Sequence, residues 1–267
     1  MWQHAQTGKE GEIYRAAAFG SGQFAAVGSY GGNNLLAASA DGQAWKTSQL
    51  EAKYVKYLRG LVFGNDVFLA LGGDPGSVGD SKPFVATSAD GLAWSDFHGI
   101  SGKHLLRRAA WGNDRFVAVG DRGRRAASKD GLTWEDAAET KAIDTLIDVA
   151  YGNGIFVGVG LHGLRMRSDD GLKWSKPERG KEGEHLNTVL FTGKQFVGVG
   201  AGATYLSSDG AAWERRANTQ APTAACYGGG MFVGALWKGR IVCSEDGIAW
   251  REVYKAAEHI EAVAFGE

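Results

Sequence analysis

The pattern Ser-x-Asp-Gly-x-x-Trp occurs six times in the chain, at Ser39 to Trp45, Ser88 to Trp94, Ser128 to Trp134, Ser168 to Trp174, Ser207 to Trp213 and Ser244 to Trp250. No other feature limits the fold so strongly, because a motif that returns at a near-constant spacing builds one supersecondary unit several times and stacks the copies. An aspartate followed by glycine closes a hairpin: the carboxylate turns back onto N–H groups about two residues on, and the glycine takes positive φ at little steric cost. The serine hydroxyl adds a hydrogen bond, and the tryptophan opens the next strand, where its ring packs on a neighbouring unit. Six copies of one constellation imply six copies of one structural job. Asp41, Asp90, Asp130, Asp170, Asp209 and Asp246 are therefore expected to staple turns, and not to act as acid/base groups or metal ligands.

The segments between these turns read as strands. The first of each unit ends in an aromatic-glycine pair, Phe19-Gly20, Phe63-Gly64, Trp111-Gly112, Tyr151-Gly152 and Tyr227-Gly228, with Phe191-Thr192 as the variant. The second is a short run such as Phe116-Val117-Ala118-Val119-Gly120, apolar on both faces as a sheet sandwiched between neighbours requires. The third leads into the Asp-Gly turn and the fourth starts at the tryptophan. The expected fold is all-β: a β-propeller of six complete four-stranded blades plus a split, incomplete seventh, one domain over residues 1–267. The split blade comes from the ends. Trp2 precedes Phe19 by the same interval that separates Trp134 from Tyr151, so residues 1–6 read as an orphan fourth strand, and Ile260 to Gly266 as an orphan first strand. The alternative is a six-bladed ring with the terminal pieces lying elsewhere.

The repeated motif resembles the Asp-box, or BNR repeat, of sialidases, of photosystem II stability and assembly factors and of other Asp-box propellers. All six copies here have one residue fewer between aspartate and glycine than that family's usual spacing, so they resemble a sub-family variant. The resemblance covers nearly the whole chain. It implies the propeller fold and leaves the activity open, since one fold hosts many functions.

A formal net charge of −1 leaves no global field to recruit nucleic acid or an anionic membrane surface, so neither is expected as a partner. No apolar run reaches the roughly 18 to 20 residues that span a bilayer, and no membrane insertion is expected. The opening Met1-Trp2-Gln3-His4-Ala5 lacks the basic-then-apolar pattern of a secretory signal. A secreted or periplasmic mature domain stays open. Cys226 and Cys243 fall in the first and third strands of one blade, about 9.6 Å apart across the strand between them, so two free thiols are expected. There is no His-Glu-x-x-His or zinc spacing, and the glycine-rich loops close hairpins instead of opening helices, so no metal or other cofactor is expected.

Loops that vary on a constant scaffold carry recognition, and here they vary on the face opposite the Asp-Gly turns, notably Ser29 to Asn34 and Gly73 to Pro83. At one equivalent loop position the successive blades present Tyr30, Asp74, Arg122, His162, a glycine near 202 and Lys238. Four residues before the first-strand aromatic stand Arg15, Arg59 and Arg107, then Ile147, Asn187, Thr223 and Glu261. Three guanidiniums on consecutive blades, with Arg108 and Arg122 close by in sequence, have the fork geometry for carboxylate, phosphate or sulfate. The plain readings are that the loop tips are drifting solvent-facing turns, and that each arginine pairs with a local acid or lies on the solvated periphery. Trp237 has no place in the repeat. It is either a stacking platform or packed beneath a neighbouring loop.

These observations favour a non-catalytic binding or scaffold propeller that recognises a protein or peptide partner on its loop-rich face. The alternatives are a lectin, with Trp237 and Tyr30 stacking on sugar, and a sialidase-like glycoside hydrolase. For the last, Asp74 and Asp148 are the available carboxylate pair, yet no Arg-Ile-Pro motif and no tyrosine with a marked carboxylate partner accompanies the arginines.

Overall fold

The computed structural model describes residues 11–30, 33–50, 57–74, 76, 81–138, 140–218 and 220–266. Among them the chain forms six antiparallel meanders in sequence order, blades 1 to 6, over residues 13–50, 60–99, 106–136, 146–168, 186–217 and 224–255. Five of the sheets have four strands. In blade 4 the fourth strand shrinks to a bridge between Arg165 and Glu178 and the Ser175 N–H bond to the Arg167 carbonyl, because Pro177 has no N–H to give the ladder. The two cysteines are free thiols.

Apolar clusters fill the interfaces between consecutive blades. Val27 and Leu36 of blade 1 pack on Ala70 and Phe84 of blade 2, and Leu69 and Val85 on Phe116 and Trp134 of blade 3. The same arrangement joins blades 3 to 4, 4 to 5 and 5 to 6. Within each blade the first-strand aromatic sits 4.5 to 4.9 Å from the phenylalanine that opens the second strand. The glycine after the aromatic has a separate job. A Cβ on Gly20 would fall inside the Phe63 ring, one on Gly64 against Trp111, one on Gly112 against Tyr151 and one on Gly152 against Phe191. Each missing side chain is the socket for the next blade's ring.

That relay carries on to the C-terminus. Gly228 faces Phe265, and Gly266 faces Phe19 of blade 1. Residues 260–266 therefore stand between blades 6 and 1 at the place of an innermost strand, and the molecule is a six-bladed propeller in which, among the described residues, this segment holds a seventh angular position. The fourth strand expected over residues 1–6 lies outside the described residues.

The Asp-Gly turns are self-contained. In all six the glycine has φ between 66° and 78°. The serine Oγ accepts the glycine N–H at 2.8 to 2.9 Å. One aspartate oxygen accepts the next two N–H groups at 2.7 to 2.9 Å. The tryptophan Nε1 donates back to the glycine carbonyl at 2.7 to 3.1 Å. Bonds from the Ala44 and Gln43 N–H groups, then from the Ser39 hydroxyl, hold the Asp41 carboxyl below its ordinary range, and those from Ala211 and Ala212 do the same for Asp209.

Candidate functional site at the mouth of the central channel

First strands run from the face opposite the Asp-Gly turns down the centre of the ring, and together they enclose a channel of about 350 Å³. Its wall includes Arg15, Leu61, Arg108, Asp148, Thr188, Thr223 and Ala262, one from each angular position. In blades 1, 3, 4 and 5 the first strand carries a β-bulge near its entry, at Tyr14/Ala16, Leu106/Arg108, Leu146/Asp148 and Leu186/Thr188. A bulge re-aims the extra residue. That residue is Arg15, Arg107, Ile147 or Asn187, and Arg59 stands just before the first strand of blade 2.

The arginines converge. Burial lowers the Arg59 pKa, and the neighbouring Arg107 and Arg15 charges lower it further. The Nε atoms of Arg15 and Arg59 are buried without a hydrogen-bond partner. Arg107 is neutralised by a two-point ion pair with Asp121, and Arg15 lies 3.8 Å from Glu261 of the C-terminal segment. Arg108 reaches across to donate to the Arg59 carbonyl at 2.6 Å. None of the three column arginines stands on the outer periphery. Arg15 and Arg107 have local acidic partners, and the Arg59 guanidinium faces both of their charges, with Asp121 acting the other way.

The channel wall also holds Asp148, one of the two carboxylates that the sequence offered as a pair. Asp148 accepts the Thr188 hydroxyl at 2.9 Å, the Val189 N–H at 2.9 Å and the Val149 N–H at 3.0 Å. Burial pushes its carboxyl up, against the pull of Arg108 and those bonds. Asp74 instead sits at the end of a second strand, its carboxylate accepting the Gly76 N–H at 2.9 Å. Each carboxylate thus has its own backbone partners, one on a loop and one in the channel wall. The signal for Asp148 was its place three residues before the aromatic, where Arg108 and Thr188 flank it on adjoining blades.

In blades 3 to 6 the loop-position column shares one backbone conformation, while Tyr30 and Asp74 stay in strand ladders. Arg122, His162 and Lys238 all adopt left-handed φ, 52°, 57° and 62°, and all three side chains are exposed. Turns on the opposite face place Ser21, Asn65, Asp66, Asn113, Asp114 and Asn153 in that region; most of these are Asn or Asp, which tolerate it. Gly202 completes the set at φ 83°. The variable loops are shorter than expected, since the ladder continues through Tyr30 and Asn33 in blade 1 and through Asp74 and Lys82 in blade 2. The side chain of Tyr30 lies outside the described residues.

Trp237 is 69% exposed, with one face stacked on His259 at 4.7 Å. His259 lies 3.7 Å from Glu261, which links the indole to Arg15. His162 meets His185 edge-on at 5.0 Å. Tyr57, Ile143 and Leu161 add exposed apolar surface on this face, and Tyr57 lies under the Arg59 guanidinium at 5.9 Å. Sequence reasoning missed Tyr57, His185 and His259; the fold brings His185 beside His162 and His259 beside Trp237, while Tyr57 stands two residues before Arg59.

No family model matches the chain, and no curated protein matches it. Among solved structures it is similar to YCF48 bound to D1 peptide, with 19% identity over 91% of this chain and 82% of that one and a TM-score of 0.63. It is also similar to YCF48 from Cyanidioschyzon merolae, with 16% identity over 93% and 87% and a TM-score of 0.62. The WD40 β-propeller domain of Doa1 is 12% identical over 96% and 86%, with a TM-score of 0.70. At such identities the likeness is one of fold.

Proposed function

We propose that this propeller is a non-catalytic binding module of the Asp-box type that takes an acidic segment of a partner protein on the face opposite its Asp-Gly turns. The observation that carries the reading is Arg59: its buried Nε has no partner, and Arg15 and Arg107 crowd its charge. A carboxylate arriving at that mouth relieves like-charge repulsion. Arg122, His162 and Lys238 support it, because three blades hold an exposed nitrogen-bearing side chain at the same turn position of this face. Trp237 and Tyr57 supply aromatic anchors beside the cationic mouth. YCF48, similar in fold, has a structure with a bound peptide, which agrees with a peptide-binding use of this architecture.

The test is fluorescence anisotropy with a labelled octapeptide of alternating Glu and Gly. Wild type is expected to bind it with an affinity that falls as salt rises, and Arg59→Ala to lose about tenfold or more. Binding that ignores both salt and Arg59→Ala, or no binding at low salt, overturns the reading.

A further inference from the structure

Three residues before the aromatic, the first strands and the C-terminal segment carry Ala16, Gly60, Arg108, Asp148, Thr188, Ala224 and Ala262 in turn. All but Gly60 line the channel. The polar residues fall on three consecutive blades and the smallest side chains on the other positions, so one half of the channel carries chemistry and the other half leaves it room. The two charges on the polar half do not neutralise each other. Asp148 feels the Arg108 charge, yet among the described residues no ion pair joins them. Of the Arg108 N–H donors, one goes to the Arg59 carbonyl at 2.6 Å. Asp148 takes the Val149 N–H on one oxygen and the Thr188 hydroxyl and Val189 N–H on the other, three of the roughly four positions a carboxylate offers. Those bonds hold the carboxylate still from two blades and leave an acceptor position on Oδ1 unused. Burial makes Asp148 costly to ionise, and a cation arriving beside it offsets that cost.

We propose that the channel below the arginine-bearing mouth is a binding site for a small zwitterion, an α-amino acid with a short apolar side chain. Its carboxylate meets Arg108, its ammonium meets Asp148, and its side chain lies over the alanines of blades 1 and 6. A concave site with a few convergent polar groups and a shifted carboxyl is where small ligands bind. A ligand that brings both charges answers the guanidinium and the carboxylate together, whereas an ion of either sign answers one and leaves the other without a partner. About 350 Å³ of channel accommodates such a molecule. The site goes beyond the acidic-segment reading of the mouth and does not depend on it.

The probe is L-alanine, titrated into the full chain by calorimetry, with acetate and ethylammonium, which each carry one of its two charges, as comparators. Expected is saturable one-to-one binding of L-alanine, with each comparator weaker by about tenfold or more. Arg108→Gln and, separately, Asp148→Asn, which can still accept the Thr188 hydroxyl, are expected to weaken L-alanine by about tenfold or more. Asp148 joins blade 4 to blade 5, so a second variant decides the matter if Asp148→Asn fails to fold. Ala224→Leu fills the channel from its small-residue half and removes no polar group; it is expected to abolish L-alanine binding and to leave the Glu/Gly octapeptide bound as in wild type. An octapeptide that binds where L-alanine does not rejects the channel site alone, and the converse rejects the mouth alone. No binding of L-alanine, acetate or ethylammonium binding as tightly as L-alanine, or L-alanine binding unchanged in Ala224→Leu would each overturn the proposal.

Discussion

The side chains divide into those that hold a turn or an interface and those left with spare capacity. The Asp-Gly turns belong to the first kind: Asp130 accepts the N–H groups of Leu132 and Thr133 at 2.8 and 2.7 Å, and nothing in that geometry involves a ligand. Asp130→Ala is expected to lower stability by about 1–2 kcal/mol in urea unfolding and to leave acidic-peptide binding untouched. Glu184 is the other residue whose job is structural. It accepts the Tyr205 hydroxyl at 2.5 Å and both Nε and Nη2 of Arg215, at 3.0 and 2.5 Å, and the Arg165 guanidinium lies 4.1 Å over the Tyr205 ring. The Arg215 bonds, acting against burial, with Tyr205 assisting, pull its carboxyl from the ordinary 4.5 to about 2. A folded pKa below the unfolded one adds stability that is complete above about 4.5 and disappears as pH falls toward about 2. Wild type should therefore lose Tm steeply across that window, and Glu184→Gln should start lower at neutral pH and show a shallower acid slope.

Strand-scale behaviour depends on glycines that make room for a neighbouring ring and on bulges that turn a side chain. Gly112→Ala would drive a Cβ into Tyr151, so it is expected to cost about 1–3 kcal/mol. Gly154→Ala has no neighbour within 4 Å and meets only the strain of φ +80°, so its cost should be about 1 kcal/mol. Thermal unfolding of the pair separates packing from backbone strain, and equal losses would contradict the socket reading. The expected element order was legible because the aromatic-glycine and Asp-Gly signals bracket each strand. The bulge at Leu106/Arg108 was not, since no residue type in Leu106 to Trp111 announces it, and the bulge is what turns Arg107 to Asp121 while Arg108 faces the channel.

The molecule as a whole depends on closure between its last and first angular positions. Phe265 between Gly228 and the segment bearing Gly266, which in turn sockets Phe19, makes a short apolar chain, and the Glu261 to Arg15 contact adds little at its 3.8 Å separation. Phe265→Ala should lower Tm and reduce stability by about 1–3 kcal/mol, less than a fully buried phenylalanine because the ring is 41% exposed. No change in Tm would mean that the C-terminal segment does not close the ring. The sequence by itself determined the blade, its six complete copies and the passive role of the six aspartates, because hairpin chemistry is local and each copy carries its own hydrogen-bond partners. Only the tertiary structure decided that Arg15, Arg59 and Arg107 crowd one mouth, that Asp148 belongs to the channel wall with Thr188 and Arg108, and that Trp237 rests on His259. Those relations join residues on different blades, and their distances follow from the curvature of the ring, which no stretch of sequence encodes alone.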